Sequence, residues 1–197
     1  MNHFGLAQEA LDQLFVKART AHAFKREPVP EGILEKLVNL TQWAPTAFNS
    51  CPARYVFLTT DEARSKLIPA LSPGNVAQVQ SAPVTVILAY DTHFFEHLPE
   101  LFPAYDAKSL YDKNTILADQ VAFRNSSLQG AYFMLAARAL GLDVGPMSGF
   151  NADVVNGTFF PDGRLKANFL INLGIADHSA THPRGPRLSF SQVSQIL

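Results

Sequence analysis

The chain has 197 residues, 47% of them hydrophobic, and a formal net charge of −1, which suits one compact domain over residues 1–197 and excludes the broad basic surface of a nucleic-acid binder. No stretch offers the roughly 18 consecutive apolar residues of a membrane span, and the opening MNHFGLAQEALDQLF carries charge where a signal peptide would be apolar. The one cysteine, Cys51, has no partner for an internal disulfide, so a cytoplasmic protein is expected.

Leu6, Ala10, Leu11, Leu14, Phe15 and Ala18 recur at helical spacing and predict a first helix over 6–18. A second follows over 31–43, carried by Ile33, Leu34, Leu37, Val38 and Leu40 and closed by Pro45. RYVFLTT, 54–60, reads as a strand and 61–70 as a short helix. SPGN at 72–75 reads as a turn. VTVILAY, 84–90, is nearly continuous apolar, as in a strand buried on both faces.

Residues 91–113 are aromatic-rich and irregular. The longest periodic segment spans 115–141, through Leu117, Val121, Leu128, Ala131 and Leu135, with Gly141 as its C-terminal cap. FLINLGI, 169–175, is another buried strand. Helices first, then strands mixed with helices, predict a three-layer α+β domain around one sheet.

Two motifs are weighed and set aside. HFFEH, 93–97, places His93 and His97 four apart with Glu96 beside them, an inverted zinc-hydrolase spacing. It follows a strand directly, meets Pro99 two residues later, and has no third ligand indicated, so no metal is expected. Cys51 has no neighbour that would mark a thiolate and reads as a small hydrophobe. No phosphate-binding P-loop, dinucleotide glycine fingerprint or nucleophile elbow is present.

What remains are polar clusters in punctuated loops: Arg19-Thr20-Ala21-His22, Pro45 to Asn49, Gly74-Asn75, GPMSGF at 145–150, and PRGPRLSF at 183–190. Singly, each reads as a cap or a turn. Together they offer cations, amide side chains and a glycine-containing loop, an inventory suited to a phosphorylated, planar, hydrogen-bonding cofactor.

In this order and spacing the clusters resemble the FMN-dependent nitroreductases along nearly the whole chain. Arg19-Thr20-Ala21-His22 stands where that family has Arg-Ser-x-Arg, and Pro45-Thr46-Ala47-Phe48-Asn49-Ser50-Cys51-Pro52 stands for Pro-Ser-x-x-Asn-x-Gln-Pro. Gly74-Asn75, GPMSGF and Arg187-Leu188 complete the pattern. ARTAHAF, AFRNSSLQGAY and ALGLDVGPMSGF are most similar to the malonic semialdehyde reductase branch.

The resemblance implies a mixed, mainly antiparallel sheet flanked by helices, in an intertwined homodimer with FMN at the interface. It implies NAD(P)H as reductant and a small acceptor, malonic semialdehyde giving 3-hydroxypropionate. A broad nitroaromatic or quinone reductase, and a non-enzymatic flavin-binding module, are the alternatives. Arg19, Thr20, His22, Arg184 and Arg187 would hold the phosphate. Pro45, Thr46, Ala47, Asn49, Asn75 and Gln78 would bond or frame the ring and ribityl chain. Pro146, Met147, Ser148 and Gly149 would face N5, which carries the hydride, so no catalytic side chain is expected. Phe48, Phe94, Phe102, Tyr105 and Tyr111 would form the substrate pocket and lid. Three departures stand out: His22 replaces a fixed cation with a titratable one, Cys51 replaces the usual Gln, and Ser148 stands where some members carry Glu.

Overall fold

A computed structural model describes residues 5–197. Its elements are α1 (Gln8–Leu11), running into a π-helical turn Asp12–Val16, then α2 (Glu31–Thr41), β1 (Ala53–Leu58), α3 (Asp61–Ser65), α4 (Pro73–Ser81) and β2 (Val84–Asp91). α5 (Leu98–Leu101), α6 (Thr115–Ala139), β3 (Asp143–Met147), α7 (Ala152–Phe159), β4 (Leu165–Gly174) and α8 (Phe190–Val193) follow. The four strands form one sheet in the order β1-β2-β4-β3. Every strand pairing is antiparallel, and a single parallel bridge joins Thr20 to Val144.

The two central strands are the apolar runs. All eight residues of β2 and the last five of β4 are buried, because both faces of the sheet are covered. One face packs Val84, Val86, Ile171 and Leu173 against Leu34 and Leu37 of α2 and Phe133 and Ala137 of α6. The other packs Ile87, Ala89 and Leu170 against Leu67, Leu71, Val79 and Val155. Helix, sheet and helix are therefore three layers, as the element pattern predicts. No described helix is long and apolar enough to cross a membrane.

Several boundaries differ from the sequence reading. The first helix is short and none of its residues is fully buried: Ala10, Leu11 and Leu14 are only partly covered, while Leu6, Phe15 and Val16 are exposed. The helix expected over 61–70 splits into α3 and a 3-10 turn at Ile68–Ala70. SPGN is not a closed turn but the start of α4, with Ser72 at the N-cap and Pro73 in the first turn. Proline fits there because its missing N–H is unpaired in any helix. α7, which the sequence reading passed over, is capped by the Asn151 side chain, which accepts from Asp153 N at 3.0 Å and Val154 N at 3.2 Å.

α6 stops at Ala139, and Gly141 takes φ +83°, the left-handed cap expected of it. The face α6 buries is small and polar as well as apolar: Asn125, Ser126, Gln129 and Gly130 lie inside with Val121 and Phe133, while Leu117 and Leu128 are exposed. A Cβ on Gly130 would fall 2.5 Å from both Leu88 Cδ2 and Phe169 Cζ, so those two side chains would have to shift to admit any larger residue there.

Candidate functional site

Residues from both ends of the chain meet in one cleft of about 410 Å³, lined by Phe15, Ala18, Arg19, Thr20, His22, Arg138, His182, Pro183, Arg184, Gly185 and Arg187. Five of these, Arg19, Thr20, His22, Arg184 and Arg187, are residues singled out in the sequence. Arg138 and His182 are additions. The cleft gathers four guanidinium groups in a chain whose net charge is −1. Among the described residues, every ion pair involves other side chains.

The arginines are held by backbone carbonyls instead. Arg19 donates to His182 O, and Arg184 to Val16 O and, at 2.9 Å, to Ala18 O. Arg187 Nη1 donates to Gly185 O and Pro186 O, each at 3.0 Å. Neutral acceptors fix direction without cancelling charge, so the cleft keeps its positive field. A dianionic phosphate, with forked acceptor oxygens, is the ligand class this geometry suits. The His22 and His182 rings meet edge to face with centroids 5.1 Å apart.

This is not the largest cavity. One of about 770 Å³ lies between α2 and Phe57, and one of about 650 Å³ lies between Arg26, α3 and the end of α4. Its buried Arg64 is committed to Asp61 and to Pro83 O at 2.8 Å, so it offers less free positive charge.

The N-terminal motif is fastened to β3. Ala21 N donates to Val144 O at 2.9 Å, and the strand continues through Gly145, Pro146 and Met147. This corrects the reading of GPMSGF as a loop throughout: Gly145 to Met147 belong to β3, and only Ser148 to Phe150 turn away. β3 is the last strand of the sheet, where a proline costs no ladder bond.

Beyond it, Gly149 O accepts from Ser72 N at 2.9 Å and from Asn75 Nδ2 at 2.8 Å. Gln78 Nε2 donates to Asn75 Oδ1 at 2.6 Å. The predicted Gly149, Asn75 and Gln78 are thus one hydrogen-bonded group, whose amides first hold the loop. Ser148 is exposed and Met147 buried.

The Pro45 to Pro52 segment is rigid in a specific sense. Phe48, Asn49 and Cys51 have φ of 51°, 52° and 41°, left-handed values that cost on the order of 1–3 kcal/mol each outside glycine. α6 holds this strained loop at both ends. Asn125 Oδ1 accepts from Ala47 N at 2.8 Å and Gln129 Oε1 from Ala53 N at 2.9 Å. Asn125 and Gln129 are one helical turn apart, on one buried face. The sequence reading missed them, although two amides at this spacing inside an apolar helix are the available signal. Thr46 Oγ1 accepts from Cys51 N at 3.1 Å, and Asn49 Nδ2 donates to Leu101 O at 3.2 Å.

The five aromatics predicted to form the pocket divide. Phe48 meets Phe102 edge to face at 5.4 Å and stacks on Tyr105 at 5.9 Å. Phe94 and Tyr111 lie deeper: both are buried in a core with Tyr90, Leu98 and Val121, and Phe48 packs against that core. Aromatic residues bury large areas wherever space allows, and these two are core rather than lid. The HFFEH stretch is also resolved: 94–97 is a 3-10 turn and Glu96 is paired with Arg164 at 2.8 Å.

A helix-flanked antiparallel sheet, with an arginine-lined cleft and a glycine loop joined along its edge strand β3, defines an α+β protein whose cleft suits a phosphorylated ligand. The sequence pattern of the Nitroreductase family matches residues 16–174. A Stenotrophomonas maltophilia protein with the provisional name NADH dehydrogenase/NAD(P)H nitroreductase is 52% identical over 196 residues, covering all of both chains. A nitroreductase of provisional assignment from Bacillus subtilis superposes with a TM-score of 0.85 at 22% identity, covering 97% of this chain and 100% of its own. Another from Exiguobacterium sibiricum, crystallised with FMN, gives 0.82 at 16% identity over 98% and 99% of the two chains. The chain belongs to the nitroreductase family and is an oxidoreductase.

Proposed function

We propose that the chain is an FMN-dependent reductase that takes electrons from NAD(P)H and passes them to a small acceptor. The observation that carries this is the cleft in which Arg19, Arg184 and Arg187 converge without a carboxylate. The residues fit the cofactor: the cleft would hold its phosphate with Thr20 and His22. The ring would lie along β3 toward Met147, Ser148 and Gly149, framed by Asn75, Gln78 and Pro146 and, across the dimer interface, by Pro45, Thr46, Ala47 and Asn49. Bound FMN supplies the hydride chemistry. The protein's part is to orient the ring and to offer backbone N–H groups from the Ser148–Gly149 turn to developing charge.

The test is flavin selectivity. Arg187→Ala should weaken FMN roughly ten- to a hundredfold, the range for hydrogen bonds to a charged group. Riboflavin, which lacks the phosphate, should hardly respond. Equal losses for both flavins, or none for either, would remove Arg187 from the phosphate site.

The acceptor has two readings. Branch resemblance supports malonic semialdehyde, reduced to 3-hydroxypropionate. The aromatic cluster of Phe48, Phe102 and Tyr105 supports a planar acceptor, a nitroaromatic or quinone. Side-by-side assays decide: a higher kcat/KM with NADPH for malonic semialdehyde upholds the first reading, and the reverse order replaces it with the second.

The working form in this reading is an intertwined homodimer in the cytoplasm, one domain per chain, with the sites at the interface. Trp43 is 85% exposed, and Phe15, Ile116 and Phe123 are exposed as well. β1 has a partner on one side only, and the tail carries exposed Leu188, Phe190, Val193 and Ile196. A partner copy would cover all of these, and obligate dimers commonly bury more than about 2,000 Å². A flavin-loaded, active monomer in sedimentation would overturn this.

A further inference from the structure

We propose that Arg138, at the end of α6, is a determinant of the preference for phosphorylated over unphosphorylated flavin. This rests on the FMN reading of the cleft. Arg138 lines the same cavity as Arg19, Arg184 and Arg187 but comes from α6 rather than from the segments near the two ends of the chain. Nothing in its local sequence marks it, because a cation in the last turn of a helix ordinarily answers the helix dipole.

The placement depends on the π-helical turn. That wide turn closes Lys17 N on Asp12 O at 2.7 Å, and the helix stops there. Its later carbonyls are left for side chains. Arg138 Nη1 donates to Leu14 O at 3.2 Å, and Arg184 takes Val16 O and Ala18 O. Two arginines are thus aimed by one rare turn, of a kind frequent at functional sites. Of the five guanidinium N–H donors, Arg138 spends one on Leu14.

Its charge is only partly compensated. Burial lowers its pKa most, the charge of Asp143 opposes this, and Arg184 lowers it further. Asp143 does not come within ion-pair distance, and it accepts from Ala176 N at 2.9 Å. A half-buried cation beside another cation is unfavourable unless an anion joins them. A phosphate in the cleft would be that anion.

Arg138 also borders a smaller cavity with Glu9, Gln13, Lys17 and Asp143, so a purely structural role in balancing Asp143 is the competing account. Reconstitution of the purified protein with FMN or riboflavin separates the two. Arg138→Met should weaken FMN about tenfold or more and riboflavin less than about twofold. Arg138→Lys should recover part of the FMN affinity while leaving riboflavin unchanged. The salt dependence of FMN binding should become shallower in Arg138→Met, because one cation has left the site. A parallel loss for both flavins, or no loss for either, would assign Arg138 to structure alone. Wild-type protein that binds the two flavins equally would overturn the phosphate reading of the whole cleft, and this inference with it.

Discussion

Gly145→Ala is expected to lower the melting temperature by roughly 6–12 °C and to cost at least about tenfold in FMN affinity. A Cβ at this position would lie 2.5 Å from Ala21 O, a backbone atom that cannot swing aside. Asn172 Cβ and Phe24 Cζ, each at 3.5 Å, close the other directions. The segment Arg19 to His22 must therefore lift from β3. That strains the Ala21–Val144 hydrogen bond and the Thr20–Val144 bridge, in a place where Ala21 and Val144 are both buried.

Overpacking of this kind costs typically 1–3 kcal/mol, and the upper end applies because the clash is with backbone. For a chain of this length each kcal/mol moves the melting temperature by roughly 2–4 °C. The loss of affinity follows from the same displacement, since Arg19, Thr20 and His22 leave the cleft while Arg184 and Arg187 stay. Riboflavin should lose less than FMN. Calorimetry showing a shift under about 2 °C, with FMN retention unchanged, would mean that the motif does not depend on this close approach.

The legible parts of the fold were those set by local pattern. β2 and β4 could be read because burial on both faces leaves an apolar run, and α6 because its length outlasts any ambiguity of period. Their arrangement was not legible. β4, the last strand in sequence, sits between β2 and β3, and no local pattern states which strands are neighbours. α4 was hidden by its own start, because Ser-Pro-Gly-Asn suits a helix N-terminus as well as a turn.

The candidate site divides in the same way. Arg19, His22, Arg184 and Arg187 could be named because they stand in recognisable motifs, and the cleft does bring them together. Asn125, Gln129 and Arg138 escaped notice because their partners, Ala47 N, Ala53 N and Leu14 O, are contacts between distant segments. Phe94 and Tyr111 were misassigned since an aromatic-rich stretch does not say which rings face inward. Sequence supplied the cationic groups; the tertiary structure supplied what holds them.

Asp91→Ala is expected to destabilise the protein by about 3 kcal/mol, the lower end of the range for removing one partner of a buried ion pair. The Asp91 side chain is 3% exposed and is bound by Arg54 at 2.8 Å, by Arg164 at 3.1 Å, and by His93 N at 2.9 Å. It joins β1, the end of β2 and the approach to β4, and through Arg164 it reaches Glu96. The two arginines are 32% and 40% exposed. Water can partly resolvate them once the carboxylate is gone, which is why the lower end applies.

The pH dependence has a definite sign. Burial by itself raises the Asp91 pKa, but the Arg164 hydrogen bond, the His93 amide and the charge of Arg54 outweigh it, and the carboxyl titrates below its ordinary 3.8. A lowered native pKa means that the ionised carboxylate stabilises the fold fully above the unfolded value. That stability is lost as pH falls through the native value. Urea unfolding of wild type and Asp91→Ala should therefore show a constant gap at neutral and mildly acidic pH. The gap should narrow below about pH 4, where unfolded Asp91 begins to take up its proton. Parallel curves down to the acid limit would show that the network contributes through shape rather than charge. A gap under about 0.5 kcal/mol at neutral pH, the scale of an ordinary surface substitution, would show that Arg54 and Arg164 do not need Asp91 at all.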